Sequence, residues 1–350
     1  MKKSLLALAV LGAYAGVASA QSSVTIFGVV DLSINQIKNG DAKTTSMQSN
    51  QLNSNRIGFR GFEDLGGGLG AGFWLEGAMN NQNGTGSASG AQNWQRRSTV
   101  SLISQSAGEV RLGRDYTPSF WNLVFFDVYG ANGIGNSTNL VPLSNPNGGA
   151  AAASTGVRAN NTVGYFLPSN LGGVYGQAMY ALGQGDLNNK YWGGRIGFAS
   201  GPIDVAFGYG DTTTAAANVG HWKVMNFGAS WNFGVAKIFG LYNENKWGPL
   251  KDDMWEISVS VPLGQGEFKA GYGSVDGKGT LGAFNYGQSD ATLWSLQYIY
   301  NLSKRTALYG GYASLDNDPG SARSILGGTA AQNLAGNKSD GFNIGVRHSF

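Results

Sequence analysis

The sequence predicts an all-β protein, a transmembrane antiparallel β-barrel of about sixteen strands with a long third loop folded into its lumen. Three observations predict it. Apolar and polar residues alternate with period two over segments of about ten residues, near the length that crosses a bilayer at a tilt. The connections between these segments alternate between short and long, as periplasmic turns and outer loops do. Tyr, Trp and Phe gather near the segment ends, as interfacial girdles do.

Composition agrees with that class. Gly is abundant at 56 residues, Pro is scarce at 8, and aromatics make up 12%. Charged residues are only 13%, against about a quarter in an ordinary soluble domain. So much aromatic and aliphatic material is not a disordered composition; it suits many strands joined by tight turns. The chain has no Cys, which excludes a disulfide scaffold, thiol catalysis and Cys-based metal sites. The net charge is +3 with no Lys/Arg-rich run and no basic helix, which points away from nucleic acid as a partner.

Residues 1–20 read as a signal peptide and 21–350 as the barrel. Lys2 and Lys3 form a positive start, Leu5 to Val17 a short apolar run, and Ala18-Ser19-Ala20 a small-residue cleavage site before Gln21. The apolar run is too short for a membrane-spanning helix. A buried N-terminal helix is the alternative. No later stretch has helical transmembrane length, so a helical membrane protein is excluded.

The alternation is clear from the mature start. Val24, Ile26, Val30, Leu32 and Ile34 share one parity, while Thr25, Asp31, Ser33 and Asn35 share the other, giving a strand with one apolar and one mostly polar face. Ile57 and Phe59 alternate with Arg56, Gly58 and Arg60. Leu69, Ala71, Phe73, Leu75 and Met79 form another row, followed by Ile203 to Tyr209, Trp255 to Val261 and Trp294 to Tyr300. Tyr175 to Leu182 and Val235 to Asn243 do not alternate clearly. Short connections include Glu63 to Gly68, Ser104 to Gly108 and Asn232 to Gly234; long ones include Gln36 to Leu52, Asn81 to Asn93 and Asp316 to Ser339. A soluble sandwich also alternates, but its strands are usually shorter and its loops lack this asymmetry. A barrel of this size is too wide for side chains to fill and leaves an aqueous lumen.

One connection, from Tyr116 to about Thr155, is far longer than the rest and carries its own apolar cluster: Phe120, Trp121, Leu123, Val124, Phe125, Phe126, Val128 and Tyr129. Loops of that length are usually functional or disordered. The cluster needs a surface to pack on, and the inner barrel wall supplies one. Gly130, Gly133 and Gly135 then permit a sharp return. The alternative is a short lid helix outside the barrel.

Several stretches resemble the general porins of β-proteobacteria. They are Ser23-Val24-Thr25-Ile26-Phe27-Gly28, Arg56-Ile57-Gly58-Phe59-Arg60-Gly61-Phe62-Glu63-Asp64-Leu65-Gly66, Gly108-Glu109-Val110-Arg111-Leu112-Gly113-Arg114-Asp115, Asn301-Leu302-Ser303-Lys304-Arg305-Thr306 and the terminal Gly345-Val346-Arg347-His348-Ser349-Phe350. The resemblance implies a homotrimer of sixteen-stranded barrels, each with its own pore narrowed by the third outer loop, here about 116–155. Phe350, with Phe342, Ile344 and Val346 at the same parity, is similar to the terminal signature read by the outer-membrane assembly machinery. The family also implies a cluster of arginines facing the inserted loop, and Arg56, Arg96 and Arg158 occupy the matching positions.

Parity points Arg56, Arg60, Arg111 and Arg158 into the lumen. For the neighbouring pair it selects Arg97, whereas the family spacing selects Arg96; a bulge would reconcile them, and both stand as candidates. Arginine stays charged at working pH and is weakly hydrated, and a charged ring in a narrow aqueous passage sets ion selectivity. The loop offers only Asp115 and Asp127 in opposition. Positive charge is therefore expected to dominate, favouring small inorganic and organic anions. Glu76, Glu109 and Asp31 are the carboxylates able to cancel it.

No enzyme signature appears. His221 and His348 stand in strand-like contexts without metal-type spacing, Gly66-Gly67-Gly68-Leu69-Gly70 lacks the Lys-Ser/Thr of a phosphate cradle, and no G-x-S-x-G elbow occurs. No cofactor is expected. The expected function is passive diffusion of small hydrophilic solutes across the outer membrane, whose lipid the apolar rows would meet. The alternative is a substrate-selective channel for small carboxylates.

Overall fold

A computed structural model describes residues 23–86, 93–141, 155–185, 187–215, 220–281, 284–325 and 335–350. The expected signal peptide, residues 1–20, and part of the long loop lie outside these residues.

Among the described residues nineteen strands follow in order: β1 (Ser23–Asn39), β2 (Ala42–Ser49), β3 (Arg56–Gly66), β4 (Leu69–Ala78), β5 (Arg97–Ser104), β6 (Gly108–Tyr116), β7 (Arg158–Phe166), β8 (Val174–Leu182), β9 (Lys190–Ser200), β10 (Ile203–Thr213), β11 (His221–Asn232), β12 (Lys237–Trp247), β13 (Leu250–Leu263), β14 (Gly266–Lys278), β15 (Thr280–Leu281), β16 (Phe284–Asn285), β17 (Ala291–Asn301), β18 (Thr306–Asn317) and β19 (Ser339–Ser349). β15 and β16 form a separate two-stranded ribbon. The other seventeen segments form one antiparallel sheet. β2 and β3 both pair with the same edge of β1, through Leu32↔Ser49 and Val29↔Arg56. They are two halves of one interrupted strand, so the wall has sixteen strands.

The wall closes where the chain ends meet. β1 pairs with β19 from Val29↔Ser349 to Asn39↔Ser339. Beyond that ladder, Gly28 and Phe350 exchange both backbone hydrogen bonds, at 3.0 and 3.1 Å. Closure leaves no long unpaired edge, which a strand-built membrane span requires because lipid offers no hydrogen bonds. No helix among the described residues is long and apolar enough to cross a membrane.

The faces are reversed relative to a soluble protein. On β1, Asp31 and Asn35 are fully buried while Ile34 between them is 54% exposed. Trp294, Leu296, Tyr298 and Tyr300 all lie on the exposed side of β17, and Ser295 and Gln297 are buried. Apolar rows therefore face outward and polar rows inward, which separates the barrel from the soluble sandwich.

Two places differ from their sequence-based expectation, the Gln36 to Leu52 connection and the start of β7, and two ambiguous stretches are strands. Gln36 to Leu52 is largely a tall hairpin, because β1 and β2 continue to a two-residue turn at Gly40-Asp41. Its polar residues on both faces conceal strand character, since above the membrane neither face needs to be apolar. Of the two weakly alternating stretches, Tyr175 to Leu182 lies in β8 and Val235 to Asn243 enters β12 from Lys237 on, and β8 packs small residues and aromatics together on its faces. The alternation through Asn160 and Thr162 does not carry to Arg158. Thr162 pairs with Gly113 and Ala159 with Asp115, so the ladder slips by one residue at a bulge marked by the left-handed Asn161.

Candidate functional site

The loop after β6 turns inward and contains a helix, α1 (Pro118–Phe126). Pro118 stands in its first turn, where a missing N–H is tolerated. One face of α1 docks on β10 and β11 through Ser119, Asn122, Leu123 and Phe126. Asn122 Nδ2 donates to the Ala206 carbonyl at 3.2 Å and to Asn226 Oδ1 at 3.0 Å; Asn226 Nδ2 returns a 2.8 Å bond to the Ser119 carbonyl. The seat is flat because Gly228 has no side chain: a Cβ there would lie 2.0 Å from the Phe126 ring.

Asp127 ends the helix and ties the return. Its carboxylate accepts the N–H groups of Tyr129 (2.8 Å), Ala131 (3.1 Å) and Ser137 (3.1 Å) and the Ser137 hydroxyl (2.9 Å). Burial pushes this carboxyl above the usual carboxylate range, and the four donors offset only part of that rise. The loop tip then meets the break between β2 and β3. Gly133, at φ +75°, brings its Cα so near the Gln51 carbonyl that a Cβ would lie 2.1 Å away, and Ser54 Oγ donates to Asn132 Oδ1 at 2.7 Å. The break is itself knotted to β1, because Asp31 Oδ2 accepts the N–H groups of Leu52 and Asn53, each at 2.6 Å.

Between the docked loop and the opposite wall lies a cavity of about 610 Å³, lined by Arg56, Arg96, Arg97 and Arg158 on the wall and by α1 on the loop side. Glu76, almost fully buried, accepts from Arg96 Nε at 2.5 Å and Arg56 Nη1 at 3.4 Å. Trp74 Nε1 fixes its other oxygen at 3.0 Å. Arg158 meets no carboxylate within ion-pair distance among the described residues. Its Nη2 donates to the Tyr116 hydroxyl at 2.7 Å, and that oxygen also accepts from Arg96 Nη2 at 2.6 Å.

Both members of the ambiguous pair face this space. Arg97 follows the alternation of β5 and lies over the Trp74 ring at 4.5 Å. Arg96 precedes the strand, where the alternation has not begun, so no bulge is needed. Arg60 and Arg111 are lower on the wall, in a second cavity of about 420 Å³ that shares Trp74 and Arg97 with the first. The charges of the pair Arg97 and Arg111 are matched: Arg111 bonds Glu109 (2.8 Å) and Asp115 (2.6 Å), and Arg97 lies 3.6 Å from Asp115.

The two expected loop carboxylates do not oppose the arginines from across the passage. Asp115 is buried in the wall against Arg111, and Asp127 is held by three backbone N–H groups and the Ser137 hydroxyl of its own loop. The cluster of Arg56, Arg96 and Arg158 with Glu76 therefore keeps two positive charges in excess. Sequence reasoning passed over Lys269, whose Nζ donates to the Val128 carbonyl at 2.9 Å from the wall side of the cavity. Its parity opposite Phe268, Ala270 and Tyr272 was the available signal that it faces inward. The two histidines lie elsewhere, His221 against Asp211 at 2.7 Å and His348 against Thr306 at 2.9 Å.

The model of the Gram-negative porin family matches residues 7–320. The chain is a Gram-negative porin. Outer membrane porin protein 32 of Delftia acidovorans is 40% identical, with both chains covered in full, and an outer membrane porin protein of Bordetella pertussis is 29% identical over the full length of both. Among solved structures, the anion-selective porin from Comamonas acidovorans superposes with a TM-score of 0.81 at 34% identity, covering 94% of this porin and all of that chain. This porin is thus an outer-membrane channel and not an enzyme, and its sixteen-stranded barrel matches solved porin structures.

Proposed function

We propose that this porin conducts small inorganic and organic anions in preference to cations, with Arg56, Arg96 and Arg158 as the selecting residues. The observation that carries the reading is the unmatched Arg158 beside two arginines that share one carboxylate, Glu76. An ion in the narrowing then passes two net positive charges on the lining wall. Arg97 and Arg111 add little to this field because Asp115 and Glu109 stand beside them. The anion selectivity ascribed to the Comamonas relative supports the same reading.

Arg60, in the lower cavity, extends the attractive path below the narrowing, where Arg111 is already matched by Glu109 and Asp115. The motif resemblance supports a homotrimer and export through a signal peptide cleaved after residue 20. The outward apolar rows suit contact with outer-membrane lipid, and the terminal Phe350 suits recognition by the assembly machinery.

The test is the zero-current potential of the purified porin in a planar bilayer across a KCl gradient. The expected sign is the one carried by chloride. A potential of the opposite sign contradicts the reading.

A further inference from the structure

The apolar cluster of the loop is only half consumed by docking. Leu123 and Phe126 pack on the wall, but Phe120, Trp121, Val124 and Phe125 line the 610 Å³ cavity, and Phe125 is 51% exposed. The rings form a continuous row that runs from buried Tyr116 through half-buried Phe120 and Trp121 to exposed Phe125. Phe120 stacks on Tyr116 with centroids 5.8 Å apart at 6°, Trp121 stands 4.8 Å from Tyr116, and Phe125 stacks on Trp121 at 5.3 Å and 21°. Cations mark both ends of the row: Arg158 lies over Tyr116 at 4.2 Å and Arg195 over Phe125 at 4.8 Å.

Helix docking does not need this face, and hydrated inorganic ions gain nothing from it. Large apolar surface left in contact with water is unfavourable and marks binding sites more often than chance. Beside it, Arg96 and Arg158 are fixed through one tyrosine hydroxyl, and each guanidinium retains donor capacity. The site thus pairs a flat apolar wall with cationic donors a ring's width away. The geometry points to aromatic carboxylates as a preferred solute class: the ring packs against the cavity-facing sides of Trp121 and Phe125, and the carboxylate meets Arg158 and Arg96. Two-point recognition excludes neutral aromatics, which forgo the arginines, and short aliphatic acids, which forgo the stacking.

This rests on the anion-conducting reading, and one bilayer experiment separates the two. The zero-current potential is recorded first in KCl alone. Benzoate, acetate or benzamide is then added and single-channel current is read as a function of concentration. Benzoate is expected to reduce the current saturably, at a half-blocking concentration about threefold to tenfold below that of acetate, the range a stacked ring pair supplies. Benzamide is expected to be weaker than benzoate. Trp121→Ala and Phe125→Ala are each expected to raise the benzoate half-blocking concentration by a similar factor while leaving that of acetate in place. A wild-type channel that prefers anions but responds equally to benzoate and acetate overturns the aromatic inference and spares the selectivity reading. So does an unchanged benzoate response in either variant. A cation-selective wild type overturns both. The wild-type comparison needs no variant to fold.

Discussion

The guanidinium of Arg158 lies 4.2 Å over the ring of Tyr116 and donates to its hydroxyl at 2.7 Å. The tyrosine thus positions the arginine without cancelling its charge, which a carboxylate would do. Arg96 shares the same hydroxyl, so one neutral side chain orients two of the three candidate selecting residues.

Removing that oxygen tests its role. Tyr116→Phe keeps the ring and deletes the acceptor. Hydrogen bonds to charged groups contribute about 1.5–3 kcal/mol, so both guanidinium groups gain freedom. Open-channel current noise is expected to rise while mean conductance changes little. Noise indistinguishable from the wild type would show that the ring alone holds Arg158.

Glu76 carries the opposing charge. Glu76→Gln raises the local excess by one. A unit charge about 8 Å away in water changes an ion's energy by about 0.5 kcal/mol, or about twofold in local concentration. Anions gain and cations lose, so the chloride-to-potassium permeability ratio is expected to rise about fourfold. A fall in that ratio would mean that Arg56 and Arg96 depend on Glu76 for their placement more than Glu76 masks them.

Gly228 seats the loop helix. Gly228→Ala drives a methyl group into Phe126, and overpacking of this kind costs about 1–3 kcal/mol. The expected result is a lower thermal transition and, where the loop swings from the wall, altered single-channel conductance. Wild-type values for both would contradict the docking described.

Asp127 makes loop docking depend on pH. Its carboxyl is raised by burial, with Glu256 and Lys269 as titratable neighbours. A carboxyl whose docked value lies above its undocked value holds its proton more tightly when docked. Its contribution to docking is therefore present in full at low pH and lost as pH rises through the raised value. Current fluctuations are expected to increase toward alkaline pH and to lose that dependence in Asp127→Asn. An identical pH profile in the variant would assign the effect elsewhere.

Much of the wall was legible because lipid imposes a strict rule: the row Val24, Ile26, Ile34 must face outward, and Asp31, Ser33 and Asn35 must face inward. Where that rule lapses, sequence reasoning weakens. The hairpin above Gln36 obeys no apolar pattern, and the inward break between β2 and β3 depends on Asp31 reaching Leu52 and Asn53, a contact between residues distant in the chain. The same limit governs the site. That Arg97 and Arg111 are matched by Asp115 while Arg158 is not follows from side-chain geometry across β5, β6 and β7, which parity does not encode. Asp127 does line the cavity, but that its carboxylate is held by four donors of its own loop is not legible in the sequence, because only the folded return brings them together.

The central claim, that an unmatched Arg158 beside Arg56 and Arg96 selects anions, is tested most directly by the zero-current potential of Arg158→Glu measured beside the wild type in one KCl gradient. The substitution removes the excess of two positive charges. The expected wild-type potential has the chloride sign, and it falls close to zero in the variant. An Arg158→Glu channel as anion-selective as the wild type would contradict the claim.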